Sequence, residues 1–278
     1  MLLYFATGQG GVTKLDILQK GGAINFLSSA YELLEMRSER INKFMLMTKA
    51  GGKFFLDSGA YSAWARNESV NINKYAELID RHSEYISEYA GLDVIGDWKA
   101  TLYNQEWMEN RGYKPIWTYH ITKQGPEPYS LLDKMLSDHK RIALSGGATG
   151  IRRDVLIRHF DKCWQIIRKH WPVRVHAFGM TRHDILARYP WYSADSISWL
   201  MGERAGAIYE FVGGNMTHYS SSQQAGAMRF GDRSMVDNRK LQEKNYRNRD
   251  YHNIAEFIKM QDFITQLWIR RGIEWDDK

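Results

Sequence analysis

A short apolar run that stops on a polar or glycine residue recurs down this chain, with amphipathic stretches between the copies. Phe54-Phe55-Leu56 stops on Asp57, Leu92 to Ile95 on Gly96-Asp97, and Pro115 to Tyr119 on His120. Arg141 to Leu144 runs into Ser145-Gly146-Gly147, Val173 to Phe178 into Gly179, and Trp191 to Ala194 into Asp195. A strand is apolar at nearly every position when both its faces are covered, as in a parallel sheet wrapped by helices. Roughly eight such strands alternating with helices predict an α/β chain folded as a single (β/α)8 TIM-type barrel of the usual ~250 residues. An open doubly wound sheet needs the same alternation and is the alternative. In a barrel, chemistry gathers at the end of the strands where these polar residues fall.

Leu2 to Ala6 reads as the first strand, followed by a turn at Gly8-Gln9-Gly10-Gly11 whose spacing is not that of a dinucleotide fingerprint. Residues 23–36 carry helical periodicity, and Phe44 to Met47 reads as another apolar strand run. Over 73–90 a helix is expected, capped by Asn73, with Tyr75, Leu78, Ile79 and His82 on one stripe; His82 is then packed, not catalytic. A second amphipathic helix over 154–171 buries Cys163 as a core thiol. Ala207 to Val212 reads as the last strand. The barrel domain is thus expected over 1–214. Residues 215–278 form a C-terminal extension packed on it, polar and basic at first and closed by a helix over 254–270 that Gly272 ends.

The chain has 278 residues, 44% of them hydrophobic, which is ample for a sizeable core. With Cys163 as the only cysteine, no intrachain disulfide and no multi-cysteine zinc site can form. The N-terminus has no basic leader, and no apolar run approaches the ~20 residues that span a bilayer, so a soluble cytoplasmic protein is expected. The formal charge of +6 favours a polyanionic partner. Between Met228 and His252, seven basic residues (Arg229, Arg233, Arg239, Lys240, Lys244, Arg247 and Arg249) face four acids, with Phe230, Tyr246 and Tyr251 interleaved. Such a stretch is either a solvated face or a nucleic-acid contact.

In a barrel, Asp57, Asp97, His120, Ser145-Gly146-Gly147, Phe178-Gly179 and Asp195 converge on one mouth. Carboxylates and a histidine gathered there are costly to bury without a cationic or hydrogen-bonding ligand. Asp57, Asp97 and His120 could hold a divalent ion, as in a metal-dependent hydrolase. A substrate with a donor edge would satisfy them equally. Paired carboxylates also serve as nucleophile and acid–base partner at a glycosidic carbon. Against all of these, Asp57 and Asp195 could simply cap the segments that follow them.

The motif set resembles the guanine transglycosylase superfamily, barrel enzymes that exchange guanine in a polynucleotide for a 7-deazaguanine. Asp57-Ser58-Gly59-Ala60-Tyr61 is similar to its D-S-G-G-F/Y motif, Ser145-Gly146-Gly147 to its Gly-Gly segment, and His176 to Thr181 to a further strand motif. With Tyr192-Ser193-Ala194-Asp195-Ser196, the wording is closest to the DNA-directed branch of phages and some bacteria. The tRNA-directed enzymes carry a three-cysteine zinc site that this chain cannot build.

The resemblance implies a DNA-guanine transglycosylase, a pentosyltransferase that needs no cofactor. Its partners would be DNA and a free 7-deazaguanine of the preQ0 type, and its place the host cytoplasm if phage-encoded. Asp195 would be the nucleophile and Asp57 the acid–base residue. Asp97, Tyr61, Ser58, His120, Ser145, Gly146, Gly147, Phe178 and Gly179 would bind the base. Asp97 would read its donor edge, Tyr61 and Phe178 would stack on its faces, and the Gly146 and Gly147 N–H groups would meet its carbonyl. A tRNA-directed relative, the metal-dependent hydrolase and a non-catalytic nucleic-acid-binding barrel are the alternatives.

Overall fold

In the computed structural model, the structure describes residues 1–8, 12–34, 38–146, 150–220 and 246–275. The chain is an α/β protein built on a nine-stranded, mostly parallel, curled sheet. β1 (Leu2–Ala6) lies between β2 (Asn25–Ser29) and β9 (Ser193–Ser196). On one side β2 leads to β3 (Lys53–Asp57) and β4 (Glu88–Tyr89). On the other, β9 leads to β8 (Arg174–Phe178), β7 (Arg141–Ser145) and β5 (Trp117–Thr122). The two-residue β6 (Gly125–Pro126) pairs antiparallel with β5 as a short hairpin. Successive parallel strands therefore follow one another in one direction, the winding of a barrel and not of a doubly wound sheet.

The sheet does not close by a continuous ladder. Its two ends meet at one isolated parallel bridge, Ala90 to Ile116, flanked by Ile116 N–H to Tyr89 O (2.8 Å) and Gly91 N–H to Ile116 O (3.0 Å). The cause is the shortness of β4. The strand expected at 92–97 lies earlier, at 88–90, and the chain then leaves the sheet as a loop. In place of the expected (β/α)8 TIM-type barrel, the chain is a barrel-like curl with a thin seam and not a closed TIM barrel. Tyr75, fully buried on α5 (Ile72–His82), pins that seam by donating its hydroxyl to Ala90 O at 2.7 Å.

Strand alternation builds two cores. Outward residues such as Leu3, Phe26, Phe54, Leu56, Ile142, Leu144 and Val175 pack under the helices. Among the helix residues that cover them are Leu78 and Ile79 of α5, and Leu156, Phe160 and Cys163 of α8 (Arg153–Ile167). Burial pushes the Cys163 thiol up to about 12, so it is the inert core thiol expected. Inward residues Tyr4, Leu27, Phe55, Ala90, Ile116 and Ala143 form a second, much smaller cluster. Below it, the interior turns polar again, with Arg141 paired to Glu88 and stacked with Arg174 on Tyr192.

Several local expectations differ from the structure. Residues 23–36 are not one helix: Phe26 and Leu27 bury opposite faces of β2, and α2 (Ala30–Leu34) follows directly. Their spacing imitates a helical period. The run at 44–47 lies inside a helix, α3 (Ser38–Lys49), because four apolar residues alone do not distinguish strand from helix. The α5 cap is Asn71, whose side chain accepts from Asn73 N and Lys74 N. The strand expected at 207–212 stands outside the main sheet. As β10 (Ile208–Val212) it pairs antiparallel with β11 (Asn215–Tyr219), so the boundary expected after Gly214 falls in a hairpin turn.

A long helix, which we number α11 (Tyr246–Arg270), packs Ile254, Phe257, Met260 and Ile264 into the outer core. Its polar residues serve as a substitute strand for β10. Asn253 Oδ1 accepts from Tyr209 N–H (2.9 Å) and Glu256 Oε2 from Phe211 N–H (2.8 Å). No described helix is long and apolar enough to cross a membrane.

If Tyr75 anchors the seam, Tyr75→Phe should cost roughly 1–3 kcal/mol, because it strips a buried carbonyl of its donor. Urea unfolding would check this; an unchanged midpoint would place the seam's support elsewhere.

Candidate active site

The mouth of the curled sheet is built by the C-terminal residues of its strands. Register aligns Ser29 of β2 with Asp57 of β3, His120 of β5 with Ser145 of β7, and Ser145 with Phe178 of β8. Asp195 on β9 points inward with its register partner Tyr4. The chain turns sharply after Asp57 because Gly59 adopts φ +80°, and a Cβ there would lie 2.4 Å from Ser29 Oγ. Only glycine fits that close approach.

Asp57 is the electrostatic centre of the mouth. Burial, then the nearby charges of Asp93 and Asp195, push its carboxyl up to about 7 from 3.8. The backbone N–H groups of Gly59 and Ser58 pull the other way and lose. Asp57 is therefore half protonated near neutrality, the poise a general acid–base group needs.

Asp195 is 7% exposed. Its Oδ1 accepts from Gly179 N–H at 2.8 Å and lies 3.2 Å from His176 Nε2. It caps no helix through a described hydrogen bond; Ser198 N–H goes instead to Ser196 Oγ.

His120 is clamped between two acids. Its Nε2 lies 3.2 Å from Asp93 Oδ2 and its Nδ1 3.2 Å from Glu127 Oε1, while Glu127 Oε2 accepts from the His120 backbone N–H. Burial would lower this histidine, but Asp93 and Glu127 outweigh it and push it up to about 10. It is an imidazolium at neutral pH, with both nitrogens engaged. Asp93 Oδ1, by contrast, is buried with no hydrogen-bond partner among the described residues. An orphaned carboxylate oxygen in a cleft calls for a donor from a ligand.

Other expected site residues are placed differently. Asp97 is exposed and caps α6 (Trp98–Glu109), accepting from Lys99 N and Ala100 N; Asp93, four residues earlier, joins the cluster in its place. The proposed metal trio of Asp57, Asp97 and His120 is thereby dismantled. Among the described residues, no group of three His, Cys, Asp or Glu is arranged to hold a metal ion. Ser58 is buried, and its Oγ accepts from Ala60 N–H, so it shapes the turn. Gly179 spends its N–H on Asp195. Phe178 packs inside the barrel, edge-on to Phe55 at 5.6 Å. Tyr61 stands on the rim, 48% exposed beside Trp64. Gly146 follows β7 at the mouth, whereas Gly147 lies outside the described residues.

Arg229, Arg233, Arg239, Lys240 and Lys244 also lie outside the described residues, as does the Arg247 side chain. Arg249 is half-buried on α11, close enough to influence Asp250. A cavity of about 980 Å³ opens at the other end of the strands, among Lys114, Arg141, Trp171 and Arg174, and holds none of the mouth residues.

Sequence reading missed Asp93 as a site residue, Glu127 and the pairing of His176 with Asp195. The Asp93 signal was an acid just after Ala90-Gly91-Leu92. Glu127 sits in a polar turn with no signal at all. The chain matches no protein-family model and no curated protein.

The raised Asp57 carboxyl sets a pH dependence. Between about pH 4 and 7 the folded chain holds a proton that the unfolded chain releases, so this group lowers stability as pH rises through that window. Asp57→Asn should therefore stabilise the protein at pH 8, by up to about 4 kcal/mol, and change little at pH 4. Thermal unfolding of both proteins at the two pH values would test it; equal differences would mean that Asp57 titrates normally.

Proposed function

We propose that this protein is a DNA-guanine transglycosylase that exchanges guanine in DNA for a free 7-deazaguanine at the mouth of its curled, barrel-like sheet. The observation that carries the reading is the carboxylate trio at the mouth: Asp57 poised near neutrality, Asp93 with an orphaned oxygen, and Asp195 held by two donors. Three acids with three different environments suit three different tasks.

A target guanosine would be flipped into the mouth, since C1′ is shielded in a stacked duplex. Asp195 attacks C1′ as the C1′–N9 bond breaks, and protonated Asp57 supplies the proton the departing guanine takes. The product is a glycosyl ester on Asp195. The incoming base then loses its N9 proton to Asp57, N9 bonds C1′, and the ester oxygen departs with its electron pair as the Asp195 carboxylate. A developing oxocarbenium ion is stabilised by the adjacent anion in both steps.

Asp93 reads the base. Its orphaned oxygen would accept from the N1–H and amino edge of a guanine-type ring, while the His120 imidazolium holds its other oxygen. Tyr61 and Trp64 offer exposed rings at the rim for neighbouring bases. Arg153 and Arg182 line a recess of about 470 Å³ and, among the described residues, share a single carboxylate, Asp184. Phosphates flanking a nucleotide whose C1′ faces Asp195 would lie along that rim.

Incubation with DNA and candidate 7-deazaguanines, followed by nucleoside mass spectrometry, tests the reading directly, with RNA as the competing substrate. Asp195→Asn should lower exchange by orders of magnitude and abolish any covalent DNA adduct on a denaturing gel, with DNA binding kept. Asp93→Ala should raise the free base required, by the worth of one or two charge-assisted hydrogen bonds, about 1.5–3 kcal/mol each. Exchange that persists in Asp195→Asn would remove the nucleophile assignment.

Replacing Arg153 and Arg182 together by serine should weaken DNA binding and reduce its salt slope by about one, since Asp184 already offsets one of the two charges. An unchanged slope would move the backbone contact off this rim.

A further inference from the structure

We propose that His176 is a positioning residue that grips Asp195 through Oδ1, making Oδ2 the oxygen that bonds C1′. The proposal rests on Asp195 being the nucleophile. His176 is fully buried on β8, beneath the mouth. Its Nε2 lies 3.2 Å from Asp195 Oδ1, the same oxygen that accepts the Gly179 N–H at 2.8 Å. No described hydrogen bond reaches Oδ2. A carboxylate can only accept, so Nε2 must carry the hydrogen. In the neutral ring Nδ1 then accepts from the Ser193 hydroxyl, 2.8 Å away, on the far side.

The ring has no freedom to swing away. Phe55 stacks on it at 4.7 Å with an interplanar angle of 26°, and Phe178 meets it edge-on at 4.5 Å. Two fixed donors on one oxygen leave the other as the carboxylate's reactive end. When Oδ2 bonds C1′, Oδ1 becomes the ester carbonyl and keeps both donors. When the ester breaks, the electron pair returns to a carboxylate already solvated by them. No proton passes through His176 in either step, which separates this role from that of Asp57.

Two variants test the assignment. His176→Leu fills much of the space without a donor, and His176→Gln keeps an N–H donor on a shorter planar group. In single-turnover experiments with DNA, His176→Leu should slow adduct formation by roughly 10–100-fold, the loss expected when a reacting group is misplaced by about an ångström. The KM for the incoming base and the position of the pH profile should not move. His176→Gln should recover most of the rate. A wild-type rate in His176→Leu, or equal losses in both variants with a raised KM, would overturn the proposal.

A measurement on the wild type alone guards against a variant that does not fold. Ring ¹⁵N shifts of His176 should show the hydrogen on Nε2, and a proton found only on Nδ1 would overturn the proposal without any DNA. Absence of an adduct in the wild type would sink the nucleophile assignment itself and this role with it. An adduct formed at full rate in His176→Leu sinks the positioning role alone.

Discussion

A pleated strand presents only alternate residues to one side, and parallel strands in register keep that side in common. Everything at the mouth follows from this. Phe55 faces inward, so Asp57 must; Thr118 faces inward, so His120 must; His176 faces inward, so Phe178 must. A slip of one residue in β3 would bury Asp57 under the helices and turn Leu56 into the cleft. The outer core, with Phe54 and Leu56 pressed against helices, forbids that slip.

Convergence has an electrostatic cost. Asp57, Asp93 and Asp195 share one partly buried space, and Glu127 stands behind them. One imidazolium, His120, is the cation that hydrogen-bonds within the group. Asp57, whose donors among the described residues are backbone N–H groups, holds its proton to about pH 7. Among the described residues, Asp93 and Asp195 each have donors on one oxygen and none on the other. The cleft is thus an arrangement of acceptors suited to a ligand that brings donors and a positive centre.

Much of this was legible from residue order. The runs ending on Asp57, His120, Ser145, Phe178 and Asp195 mark strands whose ends do meet, because a run buried on both faces has few other folds open to it. Asp97 was misread because Val94 and Ile95 prolong the apolar run past the point where the strand stops; only the pairing partner of β4 sets that point. Phe26-Leu27 was read as helix because a five-residue strand abutting a five-residue helix carries both periods. Glu127 could not be found from order alone, since its role depends on a hairpin folding back over His120. The hydrogen bonds of His176 likewise need Ser193 and Asp195 beside it, and these are distant in sequence.

The inner cluster is small. Six residues, two of them alanines, fill the middle of the curl, with charged and polar layers above and below. Cohesion therefore resides in the outer shell, where the helices meet the sheet, and very little of it resides at the mouth. A lineage of such proteins could exchange mouth residues one at a time, altering what is recognised, without passing through unfolded intermediates. The same division explains how a cleft so crowded with like charge is tolerated: the apolar contacts that hold the fold lie on the opposite faces of the strands from the groups that repel one another.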